Sequence, residues 1–201
     1  MIIKLSPVSP LSRDTTLQVF KNGDALTING AQFDFSSLAP GSTLPAEAIN
    51  CSFIKKPVDR IGDELVVCLD LPCWSDSIEA ARFPADIVNP ADGAVPLPGL
   101  ALGDSGSGST GAIDWSQVIT AEMKQAAAAA ELLASVQAET ARLRKIADDA
   151  IAPLQDATDL GEATAEEGAE LTAWKRYRVA LNRLPDQPGY PDEITWPAPP
   201  A

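Results

Sequence analysis

Leu171-Thr-Ala-Trp174-Lys-Arg-Tyr177-Arg-Val-Ala-Leu181-Asn-Arg-Leu184 reads as an amphipathic helix, because its large apolar residues recur every three or four positions. Prolines at 185, 188 and 191 end this pattern, and Trp196-Pro197-Ala-Pro199-Pro200 follows a few residues later. We therefore predict a helix that continues into a proline-rich tail carrying a second tryptophan. Aromatic side chains at such an end are typical of a surface that docks on another protein.

The preceding segment predicts a long partner helix over residues 120–160, with Thr120 as its N-cap and Gly161 after its end. Pro153 is expected to kink this helix or to begin a separate last turn. Thr164-Ala-Glu-Glu167 is a capping box that opens the second helix, over about 165–184. The first helix has small and apolar residues at alternating gaps of four and three, the spacing of a coiled-coil seam: Ala129, Leu133, Val136, Thr140, Leu143, Ala147, Ala150, Leu154 and Ala157.

These two helices predict a helical hairpin or coiled-coil arm. A pair of helices encloses little core, so part of the seam is expected to be covered by a second copy of the chain or by another protein. The sequence leaves open whether the helices pair within one chain or between chains.

Residues 16–35 predict a three-stranded meander with turns at Asn22-Gly23 and Asn29-Gly30. Counting outward from these turns predicts that Val19 faces Leu26 and that Leu26 faces Phe33. Leu17 and Ile28 form a second predicted pair, and Lys21 and Asp24 flank the first turn as an ion pair.

The run Leu65-Val-Val-Cys-Leu69 is too short for a stable helix and too apolar for an exposed edge, so it predicts a central strand. The overall prediction is an α+β chain with three parts. A small antiparallel β domain covers residues 1–96, a flexible Gly/Ser/Pro linker covers 97–113, and the helical hairpin with its Trp-Pro tail covers 114–201.

The composition argues against several classes of function. The net charge of −13 is unfavourable for binding a phosphate backbone, so we expect no nucleic-acid partner. No run approaches the ~20 apolar residues of a membrane-spanning helix, so we expect no membrane insertion. The chain has no His, and Cys51, Cys68 and Cys73 lack metal-ligand spacing, so we expect neither a metal nor a cofactor and interpret the cysteines as reduced thiols.

Catalysis is not expected either. Asp148-Asp149 and Glu166-Glu167 are adjacent on predicted helices and point about 100° apart, so neither pair converges on one substrate. Without His, no Ser or Cys has the usual base beside it. We predict no catalytic residues and no enzymatic activity.

The aromatic and basic residues of the last helix are the candidates for partner contact. Trp174 and Tyr177 are either core residues of the hairpin or contacts to a partner. Lys175, Arg176 and Arg178 are either a solvated face or contacts to acidic residues of a partner. Trp196-Pro197 either folds back onto the helices or docks into a neighbour.

A family resemblance is carried by Thr120-Ala-Glu-Met, Ile151-Ala-Pro-Leu-Gln-Asp-Ala, Leu171-Thr-Ala-Trp-Lys-Arg-Tyr-Arg-Val-Ala-Leu and Ile194-Thr-Trp-Pro. Together, from about Trp115 to Pro200, they resemble the carboxy-terminal part of tail fibre assembly proteins of tailed bacteriophages. The amino-terminal half, from Met1-Ile-Ile-Lys-Leu-Ser-Pro onward, is more loosely similar to small tail-region proteins of phages of Pseudomonas-like hosts.

The resemblance implies a chaperone, acting in the host bacterial cytoplasm, that helps a trimeric tail fibre protein to fold and trimerise. In some relatives such a protein stays at the fibre tip in the virion tail and touches the host surface. The residues that match the family's motif, and that we expect to contact the fibre or support that contact, are Trp174, Tyr177, Arg178, Leu181, Trp196 and Pro197. The alternative is a permanent tail or baseplate fibre component, or adhesin, that takes part in host attachment, with the helical arm forming a homo-oligomer.

Overall fold

The computed structural model describes residues 1–10, 12–102 and 108–200, and the chain divides into two compact units, Met1–Lys124 and Gln125–Ala201. We call the first the β unit and the second the helical unit. The β unit contains two five-stranded sheets. The helical unit consists of most of one long helix, a second helix and the tail, so the predicted α+β class is confirmed.

The first sheet has the strand order β5-β6-β7-β1-β8. The central strand predicted from Leu65–Leu69 is confirmed, because β7 lies in the middle of the sheet. Its neighbour β1 runs parallel to it, with Ile3 opposite Val67 and Leu5 opposite Leu69. The strands are β1 (Ile2–Val8), β5 (Thr43–Leu44), β6 (Val58–Ile61), β7 (Glu64–Pro72) and β8 (Ile87–Val88).

The second sheet has the order β10-β4-β3-β2-β9. It also includes a parallel pair, β10 with β4, so the prediction of a purely antiparallel domain is wrong. Parallel pairing requires a long crossover connection, which local turn signals cannot reveal. The strands are β2 (Val19–Asn22), β3 (Ala25–Ile28), β4 (Ala31–Asp34), β9 (Gly93–Ala94) and β10 (Ser109–Thr110).

The predicted meander forms β2, β3 and β4, and its second hairpin has the predicted register, with Leu26 opposite Phe33. Asn29 and Gly30 both have positive φ (46° and 83°), as a type I′ turn requires. In the first hairpin the register prediction is wrong. Val19 pairs with Ile28, because the turn is made by Gly23 and Asp24 rather than by Asn22 and Gly23.

Tertiary contacts hold this first turn in place. Asp24 accepts a hydrogen bond of 2.7 Å from the Nη2 of Arg60, a buried guanidinium that also donates to the carbonyl of Phe35. Lys21 pairs with Asp92 at 2.5 Å and not with Asp24, so the predicted ion pair across the turn is wrong. Each charge of the hairpin is thus matched by a residue distant in sequence.

The β unit has a continuous apolar core between its two sheets. It also contains a short helix, α1 (Glu79–Arg82), and two 3-10 turns at Ala46–Ala48 and Trp115–Gln117. The largest fully buried side chains of the unit come from both sheets and from the connections between strands: Ile3, Leu17, Leu26, Phe33, Phe35, Leu38, Leu44, Ile54, Leu65, Leu69 and Leu71.

The centre of the predicted linker, residues 103–107, lies outside the described residues. On one side of it Leu97 is buried in the β-unit core, and on the other β10 pairs with β4. Gly111 donates to the carbonyl of Gln32 at 2.6 Å, and a Cβ there would come within 2.3 Å of the Phe33 ring. The chain therefore remains part of the β unit beyond residue 113, and the boundary between units falls after Lys124.

Two helices follow, α2 (Ala121–Leu160) and α3 (Ala165–Asn182), with a 3-10 turn at Leu184–Asp186. The Thr120 hydroxyl accepts from the N–H of Met123, which confirms it as the N-cap of α2. Helix α2 continues through Pro153 to Leu160, so no separate last turn begins at the proline. Gly161 follows with a φ of 75°, the left-handed conformation that ends many helices.

Candidate partner-binding surface

The helical unit has a small apolar core formed by α2, α3 and the tail. Its buried members are Ala147 on α2 and Tyr177, Leu181 and Leu184 on and after α3. Ala147 is fully covered, and its small side chain permits close approach of the two helices. Four half-buried side chains pack around this core: Leu143, Trp174, Tyr190 and Ile194.

Two of the residues predicted to contact a partner lie inside this core. Tyr177 is 5% exposed and Leu181 is 0% exposed. In the folded hairpin both side chains pack inside the core. A contact of Tyr177 or Leu181 with a partner stays a prediction.

Trp174 and Arg178 lie where α3 meets α2, and each makes a specific contact. The Trp174 ring meets the Tyr177 ring edge to face, with 5.8 Å between centroids, and its Nε1–H donates to Glu170. Arg178 donates to Asp148 of α2 at 2.7 Å. Both side chains remain partly exposed, so each can support the hairpin and touch a partner.

The tail folds back through its irregular backbone. The side-chain amide of Gln187 donates to the carbonyl of Thr195 at 2.9 Å and accepts from the N–H of Thr195 at 2.8 Å. The side chain of Gln187 thus forms, with the backbone of Thr195, the two hydrogen bonds that a neighbouring β-strand would form. This clamp fixes Ile194 against the core and leaves the next aromatic residue, Trp196, 37% exposed.

Of the two alternatives for the tail, the structure shows that it folds back as far as Ile194, which packs against the core, whereas Trp196 is exposed. Docking of Trp196-Pro197 into a neighbour stays a prediction. Sequence reasoning missed Gln187, because no local pattern connects an amide to a backbone group eight residues away in an irregular segment. The run of prolines at 185, 188 and 191 was the available signal that this segment turns back.

The predicted capping box at the start of α3 is confirmed. The Thr164 hydroxyl accepts from the N–H of Glu167 at 3.2 Å, and the Glu167 carboxylate accepts from the N–H of Thr164 at 2.7 Å. The Thr164 hydroxyl also donates to the Glu167 carboxylate at 3.0 Å. The hydrogen bonds that the carboxylate accepts, first from the Thr164 N–H and then from the Thr164 hydroxyl, lower the pKa of Glu167. The box fixes where α3 begins and hence which face of α3 meets α2.

The capping box predicts a pH-dependent stability of the helical unit. Because the pKa of Glu167 is lowered in the folded state, its stabilisation is present above the ordinary value of 4.5 and is lost as the pH falls below that value. Urea unfolding followed by the helical signal should show wild type more stable than Glu167→Gln at pH 7, with the difference shrinking at pH 3.

The control Glu166→Gln removes a carboxylate from the same helical turn without touching the box, and should destabilise the unit less at pH 7. Equal losses of stability between pH 7 and pH 3 in wild type and Glu167→Gln would contradict the role assigned to the box.

Within the described ranges, no cluster of three His, Cys, Asp or Glu side chains is placed to hold a metal ion. Helices of the described parts are all too short or too polar to cross a membrane. All three cysteines are free thiols, and burial raises the pKa of the Cys51 thiol, which makes it a poor nucleophile at neutral pH.

Comparison with known proteins assigns the family. The profile of the family described as "Caudovirales tail fibre assembly protein, lambda gpK" matches residues 94–201, which is more than half of the chain. The chain belongs to this family. The match covers all of the helical unit and the last part of the β unit, so the core and the tail described above lie within the matched residues. Tail fibre assembly proteins are not a known enzyme class.

Individual phage and prophage proteins share parts of this sequence. A "Probable tail fiber assembly protein" of Acyrthosiphon pisum secondary endosymbiont phage 1 is 50% identical over 70 residues, 35% of this chain and 44% of its own length. The "Tail fiber assembly protein" of Escherichia phage lambda is 57% identical over 58 residues, 29% of either chain. "Protein TfaD" of Escherichia coli (strain K12) is 55% identical over 58 residues, 29% of this chain and 30% of its own.

The similarity to these relatives is confined to segments, and this chain spans less than half the length of each of the three. No solved structure matches the chain. The comparisons therefore identify the family of the carboxy-terminal half, while the amino-terminal residues before 94 lie outside the matched region.

Proposed function

We propose that this chain is a tail fibre assembly chaperone that binds the fibre protein and promotes its folding and trimerisation. The observation that carries the proposal is the family match over residues 94–201, which includes the whole helical unit. The proposal places the chain in the host bacterial cytoplasm during assembly, and in some assemblies at the tip of the finished fibre.

The contact surface in this proposal is formed by the partly exposed side chains of α3 and the tail. Trp196 is exposed and follows Thr195, whose backbone is hydrogen-bonded to Gln187, so a partner can cover it where the tail is already held in place. Trp174 and Arg178 lie on α3, and Pro197 adjoins Trp196. Large aromatic and Arg side chains of this kind contribute most of the binding energy in many protein interfaces.

The physical task of such a chaperone is to cover apolar surface and unpaired strand edges of the fibre subunit before three subunits meet. These surfaces aggregate when they are exposed during slow assembly. The strongly negative charge of the chain limits its association with other partners, because like charges repel and only a complementary surface is attracted.

Co-expression tests the proposal. The tail fibre protein of the same phage is produced in bacteria with and without this chain, and the soluble trimer is quantified by size-exclusion chromatography. We expect the chain to convert an insoluble fibre into a soluble trimer. Unchanged fibre solubility would refute the proposal.

A second candidate function is a permanent tail fibre component or adhesin. It is favoured by the β unit, which has its own core and lies mostly outside the matched region, so it is available for anchoring to other tail proteins. Mass spectrometry of purified virions separates the two functions. The chain is absent if it acts only transiently and is present in a fixed ratio to the fibre if it is a component.

The helical unit also offers a surface for self-association. Residues 125–132 of α2 are all exposed, including Leu132, so the beginning of the predicted seam is not covered within the unit. In the proposal this part of the arm pairs with a second copy or with the fibre. Sedimentation of the purified chain distinguishes the two partners, because the chain is dimeric without the fibre only if this part of the arm pairs with a second copy.

A further inference from the structure

A groove of about 630 Å³ runs along the outer face of α3, and no core residue of the hairpin lines it. Its lining includes Lys175, Arg176, Val179 and Arg183, with Gln187 at the tail. At about 100° per residue Arg176 and Val179 lie roughly opposite to Trp174 and Leu181, which the hairpin packs inward, whereas Lys175 lies nearer to α2. The groove is therefore separate from the apolar core and remains available when the hairpin is folded.

The charge of this groove is opposite to that of the chain. Three basic residues surround it, although the chain as a whole carries a net charge of −13. Lys175 donates to the neutral side chain of Gln155, so its charge is not neutralised by that contact. The guanidinium groups of Arg176 and Arg183 make no hydrogen bond or ion pair with any residue in the described ranges 1–10, 12–102 and 108–200.

The floor of the groove is apolar. Val179 lies there, between Arg176 and Arg183 in the sequence, and is 45% exposed. Ala180 also lines the groove. The amide of Gln187 is occupied by Thr195, so this end of the groove offers packing surface and few free polar groups. An occupant needs an apolar side chain for the floor and carboxylates for the rim.

We propose that this groove binds an acidic segment of the fibre polypeptide, in which carboxylate side chains flank an apolar residue. The proposal rests on the proposed function and adds the chemistry of the segment that is recognised. Arg forms planar, two-bonded pairs with carboxylates, so Arg176 and Arg183 give both affinity and orientation. Val179 receives the apolar residue between them.

A second copy of this chain is a poorer occupant. Two copies each carry a charge of −13, and their mutual repulsion opposes association. A fibre segment with a local pair of carboxylates is attracted by the basic residues of the groove in the same way. It does not add the repulsion of a second chain with a net charge of −13. The acidic surroundings also reject acidic segments that approach elsewhere, which confines binding to this face.

Peptides tiled over the fibre protein of the same phage test the proposal against the full-length chain. Each Asp- or Glu-bearing peptide is paired with a counterpart in which those residues are Asn or Gln, and binding is measured by fluorescence anisotropy. We expect at least one acidic peptide to bind, its neutral counterpart to bind about tenfold more weakly, and the affinity to fall as salt is raised.

The variant Arg176→Glu/Arg183→Glu should lose about tenfold in affinity for that peptide. The control Lys55→Glu/Lys56→Glu changes the net charge by the same amount at exposed positions of the β unit, and should bind as wild type does. Helical circular dichroism of both variants establishes that they are folded.

Each outcome decides the inference. Equal affinity of wild type and Arg176→Glu/Arg183→Glu, or equal affinity for acidic and neutral peptides, overturns it. A wild-type dimer that the double variant abolishes also overturns it, because the groove then binds a second copy. If wild type solubilises the fibre and the double variant does so equally well, the groove inference fails alone. If wild type does not solubilise the fibre, the proposed function fails with it.

Discussion

Replacing Leu181 with Ala is expected to destabilise the helical unit by about 3 kcal/mol. Leu181 is fully buried between α3 and α2 in a small apolar core, so few neighbours can move to fill the space that the substitution leaves. In a unit this small, such a loss is a large fraction of the whole free energy of unfolding. Urea unfolding followed by circular dichroism at the helical signal measures it.

The matched control is Val179→Ala on the same helix. Val179 is 45% exposed, and Ala is the better helix former. The urea concentration at the unfolding midpoint of Val179→Ala should therefore equal that of wild type or be slightly higher. Equal midpoints for Leu181→Ala and Val179→Ala would show that Leu181 is not a core residue of the folded unit, in conflict with the structure.

Replacing Trp174 and Trp196 together with Ala is expected to reduce the proposed fibre-solubilising activity to nearly the level seen without the chain. Buried Trp anchors each contribute on the order of 2–4 kcal/mol in protein interfaces, so losing two of them weakens binding by a factor of a thousand or more. The measurement is the yield of soluble fibre trimer on co-expression.

Trp196→Ala alone separates binding from folding. Trp196 is 37% exposed, so its loss should weaken fibre binding without unfolding the unit, whereas Trp174 also packs on Tyr177. Trp74→Ala, in the β unit, is the control for losing a tryptophan elsewhere. Full activity of the double variant would remove the aromatic anchors from the proposed mechanism.

The helical unit could be predicted from the sequence because its signals are local. A threonine and a glutamate three residues apart define the start of α3, and the glycine at 161 follows the end of α2. Both depend on hydrogen bonds and backbone conformations within a few residues, so no distant contact can override them. The strand over Leu65–Leu69 was predictable for another reason, because its continuous apolar run fits only the buried centre of a sheet.

The register of the first hairpin could not be predicted from its turn sequence. A turn at Asn22-Gly23 and a turn at Gly23-Asp24 both contain a glycine. The first would pair Val19 with Leu26, and the second, which is observed, pairs it with Ile28. This shift of two residues keeps every side chain on the same face, so the apolar pattern is satisfied by either register. Asp24 meets Arg60 in the observed register, a contact that requires the other sheet.

The candidate surface was predictable in its residue types and not in its arrangement. The aromatic stripe of α3 was evident, but which members are buried depends on how closely Ala147 lets the helices approach. The exposure of Trp196 depends on the Gln187 clamp, and the basic groove depends on Arg183 lying on the same face as Arg176. Local sequence does not specify how closely the two helices approach or which path the tail takes.

The central claim is that the helical unit of this chain holds the fibre polypeptide. Hydrogen–deuterium exchange of the full-length chain, alone and in its co-purified complex with the fibre protein, tests it most directly. The account predicts that slowed exchange on complex formation is concentrated in residues 165–200. Slowed exchange confined to residues 1–124, or no complex at all, would contradict it.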